Sequence, residues 1–151
     1  MAGLLALLLL TATIAAEAAG GVEGRWLTQG KSGVVEIYGC GDGTLCGRLV
    51  WFRIKPNETD PLLLDRHNPT PPLRNRSVCG LVFMQGFRQH GPDSWGDGSL
   101  YDPESGNTYS GRLTLNPDGT LSLRGYLGIS VIGRTEHWTR FTQALDDCPG
   151  E

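Results

Sequence analysis

The stretch WGDGSLYDPESGNTY, residues 95–109, gathers the side chains of this sequence that are best suited to chemistry. Three of them are acidic, Asp97, Asp102 and Glu104. Such a set raises two possibilities, an oxygen-ligated calcium site and a pair of catalytic carboxylates. An EF-hand loop that began at Asp93 would place Trp95 at a position that needs an oxygen ligand. The calcium interpretation therefore fails on residue type.

The same letters fit a tight β-hairpin. Asp102 can accept hydrogen bonds from backbone N–H groups, and Pro103 with Glu104 suits the centre of a type I turn. Gly106 or Asn107 can close that turn with a positive φ angle. Both acids would then lie on one exposed turn, whereas paired-carboxylate catalysis needs a cleft with opposed, differently solvated groups. We therefore predict a hairpin here.

The three histidines, His67, His90 and His137, are widely separated and form no recognisable catalytic or metal-binding motif. The sequence also lacks a Gly-x-Ser-x-Gly nucleophile elbow, a P-loop and a dinucleotide-binding fingerprint. Neither a CxxC nor an HxxxH pair is present to bind zinc. We therefore expect no catalytic residues, no metal and no cofactor.

The first 18 residues predict a signal peptide. The apolar run LLALLLLTATI, residues 4–14, has about the length of a signal-peptide core and is too short to span a bilayer. Ala16 and Ala18 are the small residues that a signal peptidase requires, although no Lys or Arg precedes the run. We expect cleavage after Ala18 and one periplasmic or secreted domain at 19–151.

Four cysteines in an exported chain predict disulfide bonds. Cys40 and Cys46 flank the segment GDGTL, and a three-residue loop at 42–44 would place them directly opposite each other. A two-residue loop would put them on opposite faces of the hairpin, so a Cys40–Cys46 bridge selects the longer loop. Cys79 and Cys148 are left to pair with each other.

The charge pattern argues against two classes of partner. The formal net charge is −3, and the sequence has neither a basic stripe nor a run of like charge. Nucleic acid and an anionic membrane are therefore not expected as partners. After the signal segment no apolar run approaches the length of a membrane span, so no transmembrane segment is expected.

The elements that position these residues are predicted to be β-strands. Short β-rich segments recur between turn signals, and long stretches of helical periodicity are absent. We predict eight strands, at 23–29, 33–40, 45–54, 79–87, 94–101, 107–115, 120–128 and 134–142.

Two predicted hairpins can be aligned residue by residue. The loop at 42–44 would align Val35 with Trp51 on the apolar face of the first hairpin. The turn NPDG would align Leu115 with Leu121 in the second. Each hairpin has one apolar and one polar face, which favours an all-β, antiparallel, up-and-down eight-stranded barrel.

Residues 55–78 interrupt the strand pattern with five prolines and mixed charge. A segment of this length is usually a functional loop, and part of 71–78 fits a short helix. The loop can cover an open end of the barrel. Its candidates for ligand contact are four consecutive polar residues, Asp65, Arg66, His67 and Asn68.

The two ends of the domain carry matching motifs, GRW at Gly24–Trp26 and WTR at Trp138–Arg140. The first and last strands of a closed barrel are neighbours, so Arg140 can lie over the Trp26 indole and close the base by cation–π contact. Otherwise the two motifs are unrelated strand residues.

These motifs carry a resemblance to known families. The Gly-x-Trp opening with a late arginine resembles the signature of lipocalins and related calycin barrels. The chain more specifically resembles the bacterial exported family called domain of unknown function 2147, over about residues 22–141. The matching segments are GRW, CGDGTLCGRLVW, LLLDRHNP, RNRSVCGL, W-x-x-G-x-LYDPESGNTY and LRGYLGISVIGRTEHWTR.

The resemblance implies a periplasmic protein with a lipocalin-like barrel and no assigned reaction. Cys148 lies beyond the shared region, so a free, buried Cys79 is an alternative to the Cys79–Cys148 bridge. By analogy with the fold, the first hypothesis is a non-enzymatic barrel that binds a small hydrophobic or amphipathic ligand, with Trp51 and Trp138 among its contacts.

Two other hypotheses remain open. A structural or protein-interaction module of the cell envelope would have a packed interior and use outward residues such as Tyr38, Arg48, Arg124 and Tyr126. An unrecognised enzyme would need an acid or a histidine inside the barrel. Strand alternation offers only Glu136, between Arg134 and Trp138. The sequence identifies no protein partner.

Overall fold

Eight antiparallel strands form a closed barrel in the computed structural model, which describes residues 21–54, 56–57 and 63–148. Each strand pairs with the next along the chain, and the last pairs with the first. The strands are β1 (Gly24–Leu27), β2 (Gly33–Gly39), β3 (Leu45–Phe52), β4 (Val82–Gly91), β5 (Ser94–Asp102), β6 (Asn107–Leu115), β7 (Leu121–Tyr126) and β8 (Gly133–Arg140). The predicted all-β, up-and-down barrel is confirmed, with strand bounds that differ by a few residues. The predicted signal peptide, residues 1–18, lies outside the described residues.

Because successive strands alternate in direction, the connections alternate between two ends of the barrel. We call one end the base; it holds the β2–β3, β4–β5 and β6–β7 turns. We call the other end the mouth. It holds the β1–β2, β3–β4, β5–β6 and β7–β8 connections.

The base is closed by Trp26 and Arg140. Trp26 is fully buried, and its indole N–H donates to the Val22 carbonyl at 2.9 Å. The Arg140 guanidinium lies 3.9 Å from the centroid of the Trp26 ring and donates to the Glu23 carbonyl at 2.7 Å and to the Gly21 carbonyl at 2.6 Å. Arg140 thereby joins the segment before β1 to the end of β8.

Gly24 makes room for this contact. A Cβ at that position would come within 2.9 Å of the nearer Arg140 nitrogen, Nη1. The glycine of the GRW motif is therefore explained by the close approach of the last strand.

The β2–β3 loop is shifted by one residue from the prediction. Cys40 N–H donates to the Thr44 carbonyl at 2.8 Å, so the loop is 41–43 rather than 42–44. The Asp42 carboxylate accepts from the Thr44 N–H at 3.0 Å and from the Thr44 hydroxyl at 2.6 Å. These hydrogen bonds favour the observed loop, which has a glycine on each side of Asp42.

The shift changes the pairing register of β2 and β3. Val35 pairs with Leu49, and a β-bulge between Val34 and Val35 pairs Trp51 with Val34. The predicted alignment of Val35 with Trp51 is therefore wrong. A displacement of two residues keeps Val35 in the core with Leu49 packed against it, whereas the bulge places Trp51 opposite Val34 and away from the face predicted for it.

The second hairpin agrees with the prediction. Leu115 pairs with Leu121 and Leu113 with Leu123. The Asn116 N–H donates to the Thr120 carbonyl at 2.8 Å across the turn. Proline and glycine in NPDG leave this turn fewer alternatives than the glycine-rich first loop has.

Two disulfide bonds are present, Cys40–Cys46 and Cys79–Cys148, with Cα–Cα distances of 5.4 Å and 5.9 Å. The alternative of a free Cys79 is therefore wrong. The second bridge fixes the segment after β8, whose Cys148 N–H donates to the Val50 carbonyl at 2.7 Å. That segment also pairs with β1, since Phe141 N–H donates to the Arg25 carbonyl at 2.9 Å.

The described part of the 55–78 loop contains a 3₁₀ helix at Pro71–Asn75, within the segment 71–78 where a short helix was predicted. Two contacts hold residues 63–64 against residues 77–78 of this loop. They are a β-bridge between Leu64 and Ser77 and a 2.8 Å hydrogen bond from Val78 N–H to the Leu63 carbonyl. It lies at the mouth, beside the end of β5.

Candidate ligand-binding cavity

The mouth half of the barrel contains a cavity of about 720 Å³. Its wall is mainly aliphatic and aromatic, and includes Val35, Leu49, Phe83, Leu100, Tyr109, Leu123 and Trp138. The volume lies within the range of about 300–1,000 Å³ that small-molecule sites occupy. The barrel can therefore enclose a small ligand.

The interior of the base half is packed with side chains, and at its outer end lies an open concavity of about 1010 Å³ whose lining includes Val22, Leu45, Trp95 and Leu115. Large residues with little or no exposure occupy the interior, among them Trp26, Phe87, Trp95, Leu113 and Leu121. Small residues make room for this packing: a Cβ at Gly111 would come within 2.6 Å of the Phe87 ring. The role of Trp95, which the sequence left unexplained, is to pack in this core.

At the mouth, the inward-facing Gly125 leaves space open, whereas Gly111 makes room for a neighbouring side chain. The nearest atom to a Cβ at Gly125 would be a Leu100 methyl at 3.4 Å, an ordinary contact. Gly125 lines the cavity and contributes no side chain to fill it.

Two charged residues of β8 line the cavity, Arg134 and Glu136. One Glu136 carboxylate oxygen, Oε2, accepts a 3.0 Å hydrogen bond from the Trp138 indole N–H. Within the described residues neither Arg134 nor Glu136 forms an ion pair. Strand β8 therefore brings one cationic and one anionic group to the apolar wall.

The β5–β6 hairpin, made by the stretch 95–109, forms part of the cavity rim through Asp102, Pro103 and Glu104. Its turn is built as predicted. The Asp102 carboxylate accepts from the Glu104 N–H at 2.9 Å and from the Ser105 hydroxyl at 2.6 Å. Gly106 takes a φ of 73° and donates its N–H to the Asp102 carbonyl at 2.8 Å.

Behind the rim lies a buried polar network centred on Asp65, which is fully buried. One carboxylate oxygen, Oδ1, accepts from the Tyr101 hydroxyl at 2.6 Å. The other, Oδ2, accepts from Asn68 Nδ2 and from Arg76 Nε, each at 2.8 Å. Tyr101 also lines the cavity, so the network supports the wall from behind.

The network changes the pKa of both acids in it. Burial by itself would raise the pKa of Asp65, but hydrogen bonds from Tyr101, Asn68 and Arg76 outweigh burial and hold it below its usual range. Burial and the neighbouring Asp65 carboxylate raise the pKa of Tyr101. At neutral pH the pair is therefore a carboxylate that accepts a hydrogen bond from a neutral phenol.

Asn68 shapes the loop around this network. Its side-chain oxygen accepts from the Thr70 N–H at 2.8 Å, and its backbone carbonyl accepts from Arg74 Nε at 2.8 Å. The polar groups of Asp65 and Asn68 are thus used inside the protein. They hold the 63–78 segment against the end of β5.

The residues predicted to contact a ligand fall in three places. Trp138 lines the cavity, as does Glu136. Asp65 and Asn68 are buried in the network, one layer behind Tyr101. The others do not line the cavity: Trp51 is half-buried beside Val34, and Arg66 and His67 are exposed on the loop.

Sequence reasoning missed several residues of the cavity wall. Phe83 reaches it although its neighbour Met84 is a core residue, because the β3–β4 register shifts near Arg48. Tyr126, expected to face outward, also lines the cavity at the end of β7. Strict alternation could not place Phe83, since it holds only where the pairing is regular, whereas Tyr126 reaches the cavity from the last position of a regularly paired strand.

The described residues contain no group of three or more His, Cys, Asp or Glu side chains arranged to hold a metal ion. Nor does that part of the chain include a helix with the length and hydrophobicity needed to cross a membrane.

Comparison with known proteins agrees with the barrel architecture. The structure of protein HP1028 from the human pathogen Helicobacter pylori, described as belonging to the lipocalin family, matches with a TM-score of 0.69 and 29% identity over 80% of this chain and 82% of that chain. No curated protein matches the sequence significantly. The model of the family described as "Uncharacterized protein conserved in bacteria (DUF2147)" matches residues 24–140. The chain therefore belongs to this bacterial family.

Proposed function

We propose that this protein is a non-enzymatic barrel that binds a small hydrophobic or amphipathic molecule in the cavity at its mouth. The observation that carries the proposal is the cavity of about 720 Å³ with its largely apolar wall. An eight-stranded barrel has an interior wide enough to hold one small ligand, as in lipocalins. Transfer of an apolar molecule from water into such a wall is favourable.

The wall also favours a ligand with a polar end. Trp138, Tyr109 and Phe83 offer aromatic surface, while Glu136 and Arg134 offer a hydrogen-bond acceptor and a donor on the same strand. Binding sites of this type use a few placed polar groups to orient an otherwise apolar ligand. An amphipathic molecule would satisfy both parts of the wall.

Two features support a periplasmic or secreted location. The sequence predicts a signal peptide at 1–18, and the barrel carries two disulfide bonds. Disulfide bonds persist mainly in oxidising compartments. The cavity also favours ligand binding over the hypothesis of an envelope module without a ligand, because that hypothesis expects a packed interior.

Occlusion of the cavity tests the proposal. Gly125→Leu adds a side chain that extends into the cavity from a position with no positive φ. We expect it to weaken binding of the apolar fluorescent probe N-phenyl-1-naphthylamine about tenfold or more, equal to about 1.4 kcal/mol or more. The matched control is Gly39→Leu, at an exposed position that lines the base concavity and not the mouth cavity. A probe that binds at the mouth should bind this variant like the unchanged protein.

Native mass spectrometry of the purified protein, followed by extraction into organic solvent, would identify a molecule that co-purifies. A protein that binds no apolar probe and carries no bound molecule would contradict the proposal. Equal probe binding by the Gly125→Leu variant would show that the probe binds elsewhere.

A further inference from the structure

Among the described residues, all the exposed large hydrophobic side chains lie at the mouth. They are Ile54, Leu73, Leu127, Ile129, Val131 and Ile132. The most exposed belong to the β7–β8 loop, residues 127–132, where Leu127, Ile129, Val131 and Ile132 are 64%, 62%, 82% and 72% exposed. Clustered apolar residues on a protein surface usually mark a binding surface.

The β7–β8 loop is held in this arrangement by hydrogen bonds. Arg124 Nε donates to the Ser130 carbonyl at 2.7 Å, and its Nη2 donates to the Val131 carbonyl at 3.2 Å. A third bond joins Arg124 Nη1 to the Thr135 hydroxyl at 2.8 Å. The Ile132 N–H donates to the Ile129 carbonyl at 3.2 Å and forms a turn. The backbone is thus bound on the barrel side while the aliphatic side chains face solvent.

The charged side chains are distributed unevenly between the two ends. Exposed cations surround the mouth: Lys31, Arg53, Arg74 and Arg134. In the β5–β6 turn at the mouth, Glu104 is an exposed anion. The Asp102 carboxylate accepts hydrogen bonds within the same turn. The base turns carry exposed acids instead, Asp42, Asp93 and Asp118, and the exposed Arg88 near the base end of β4 partly offsets them.

We propose that the mouth docks on the surface of a lipid bilayer that contains anionic lipids, with the β7–β8 loop inserted among the headgroups. Aliphatic side chains beside cationic ones are the combination that binds anionic bilayer surfaces. The acidic base turns would face away from the membrane. The charge pattern of the sequence argued against an anionic membrane because these cations are dispersed along the chain, whereas the barrel topology brings them to one end.

The composition of the β7–β8 loop suits insertion at a bilayer surface. The loop, LGISVI, contains four aliphatic residues and no charged residue. Apolar side chains flanked by cations can enter the boundary between headgroups and acyl chains, and Arg134 follows the loop on β8.

Docking would also connect the bilayer to the cavity. Leu127 and Ile132 belong both to the exposed loop and to the cavity wall. An apolar molecule could therefore move between the bilayer and the cavity with little exposure to water. Docking does not require an occupied cavity, so this proposal and the proposed ligand binding can fail separately.

Vesicle flotation tests the docking surface. The chain from residue 19 onward should be used, because it contains the whole barrel and lacks the apolar run at 4–14. We expect it to float with phosphatidylcholine vesicles that contain phosphatidylglycerol, and much less with pure phosphatidylcholine. High salt should weaken the association because it screens exposed charges.

The loop variant Ile129→Asp/Val131→Asp should reduce the fraction bound about tenfold or more, because charges replace the inserted aliphatic residues. Its matched control is Gln85→Asp/Ser110→Asp, which makes the same charge change at exposed positions on the barrel wall. The control should keep most of the binding. All these positions are exposed, so thermal unfolding should show that both variants fold.

Three outcomes would overturn the proposal. The unchanged protein does not float with anionic vesicles, or the loop variant floats as well as the wall control, or the loop is required for a stable complex with a protein while vesicles are not bound. Binding of N-phenyl-1-naphthylamine, measured without vesicles on the same variants, keeps the test of the cavity separate from the test of docking.

Discussion

The base and the mouth of this barrel are built differently, although every strand runs from one to the other. At the base, Trp26 and Phe87 are fully buried, and Arg140 ties the chain ends together. At the mouth, a cavity replaces packed side chains and aliphatic residues face solvent. The base therefore holds the largest fully buried aromatic side chains, whereas the mouth keeps space for binding.

The largest expected effect is a cavity created in the base. Trp26→Ala removes a fully buried indole together with the surface on which Arg140 stacks. We expect a loss of about 4 kcal/mol in the free energy of unfolding, measured by denaturant titration. Leu127→Ala at the mouth is the comparison and should change stability by about 0.5 kcal/mol or less. Equal effects at the two ends would break the distinction between them.

The next largest effect concerns the Asp65 network, which joins the 63–78 segment to the end of β5. Asp65→Asn removes the charge that accepts hydrogen bonds from Tyr101 and Arg76 in a buried site. We expect a loss of about 3 kcal/mol at neutral pH, because one member of a buried ionic network is removed. Thermal or denaturant unfolding at pH 7 measures it.

The same network predicts a pH dependence. The pKa of Asp65 is lowered in the folded state, so its contribution to stability is complete above the unfolded value of about 3.9 and is lost as the pH falls through the folded value. The stability difference between the unchanged protein and Asp65→Asn should therefore shrink in acid. A difference that stays constant below about pH 4 would contradict the network.

The Tyr101 phenol predicts a loss of stability on the alkaline side. The pKa of Tyr101 is raised in the folded state, so its contribution is present below the unfolded value of about 10 and is lost as the pH rises through the folded value. Tyr101→Phe should remove this alkaline dependence. Unfolding measurements above and below pH 10 on both proteins would show it.

The smallest expected effect lies on the β7–β8 loop. Val131→Ser should change the free energy of unfolding by no more than about 0.5 kcal/mol, because the side chain is exposed and makes no core contact. The same change should weaken vesicle flotation. A large loss of stability would mean that the loop is part of the folded core rather than a binding surface.

Local chemistry predicted the elements whose turns leave few alternatives. The Asp102–Gly106 turn and the Leu115–Leu121 hairpin follow from residues that restrict or permit particular backbone angles. The β2–β3 loop lies at 41–43 and was predicted at 42–44, because its two glycines allow more than one turn. A register shift of two residues keeps Val35 on its face, so the hydrophobic pattern could not detect the error, whereas Trp51 left its predicted face through the bulge beside Val34.

The candidate site was harder to predict because it depends on contacts between distant segments. Asp65 and Asn68 were singled out as candidates for ligand contact, but the structure buries them in a network with Tyr101, which reaches them from another strand. The cavity depends on an inward glycine, Gly125, which carries no hydrophobic signal. The basic mouth collects Lys31 and Arg134 from opposite ends of the domain.

The central claim, that the mouth binds an apolar ligand while the base is packed, can be tested most directly by methyl NMR during a titration with N-phenyl-1-naphthylamine. The account predicts saturable shifts at Leu100 and Leu123, which line the cavity, and none at Leu113 and Leu121 in the base. Shifts concentrated at the base leucines, or no saturable shifts at the cavity leucines, would contradict it.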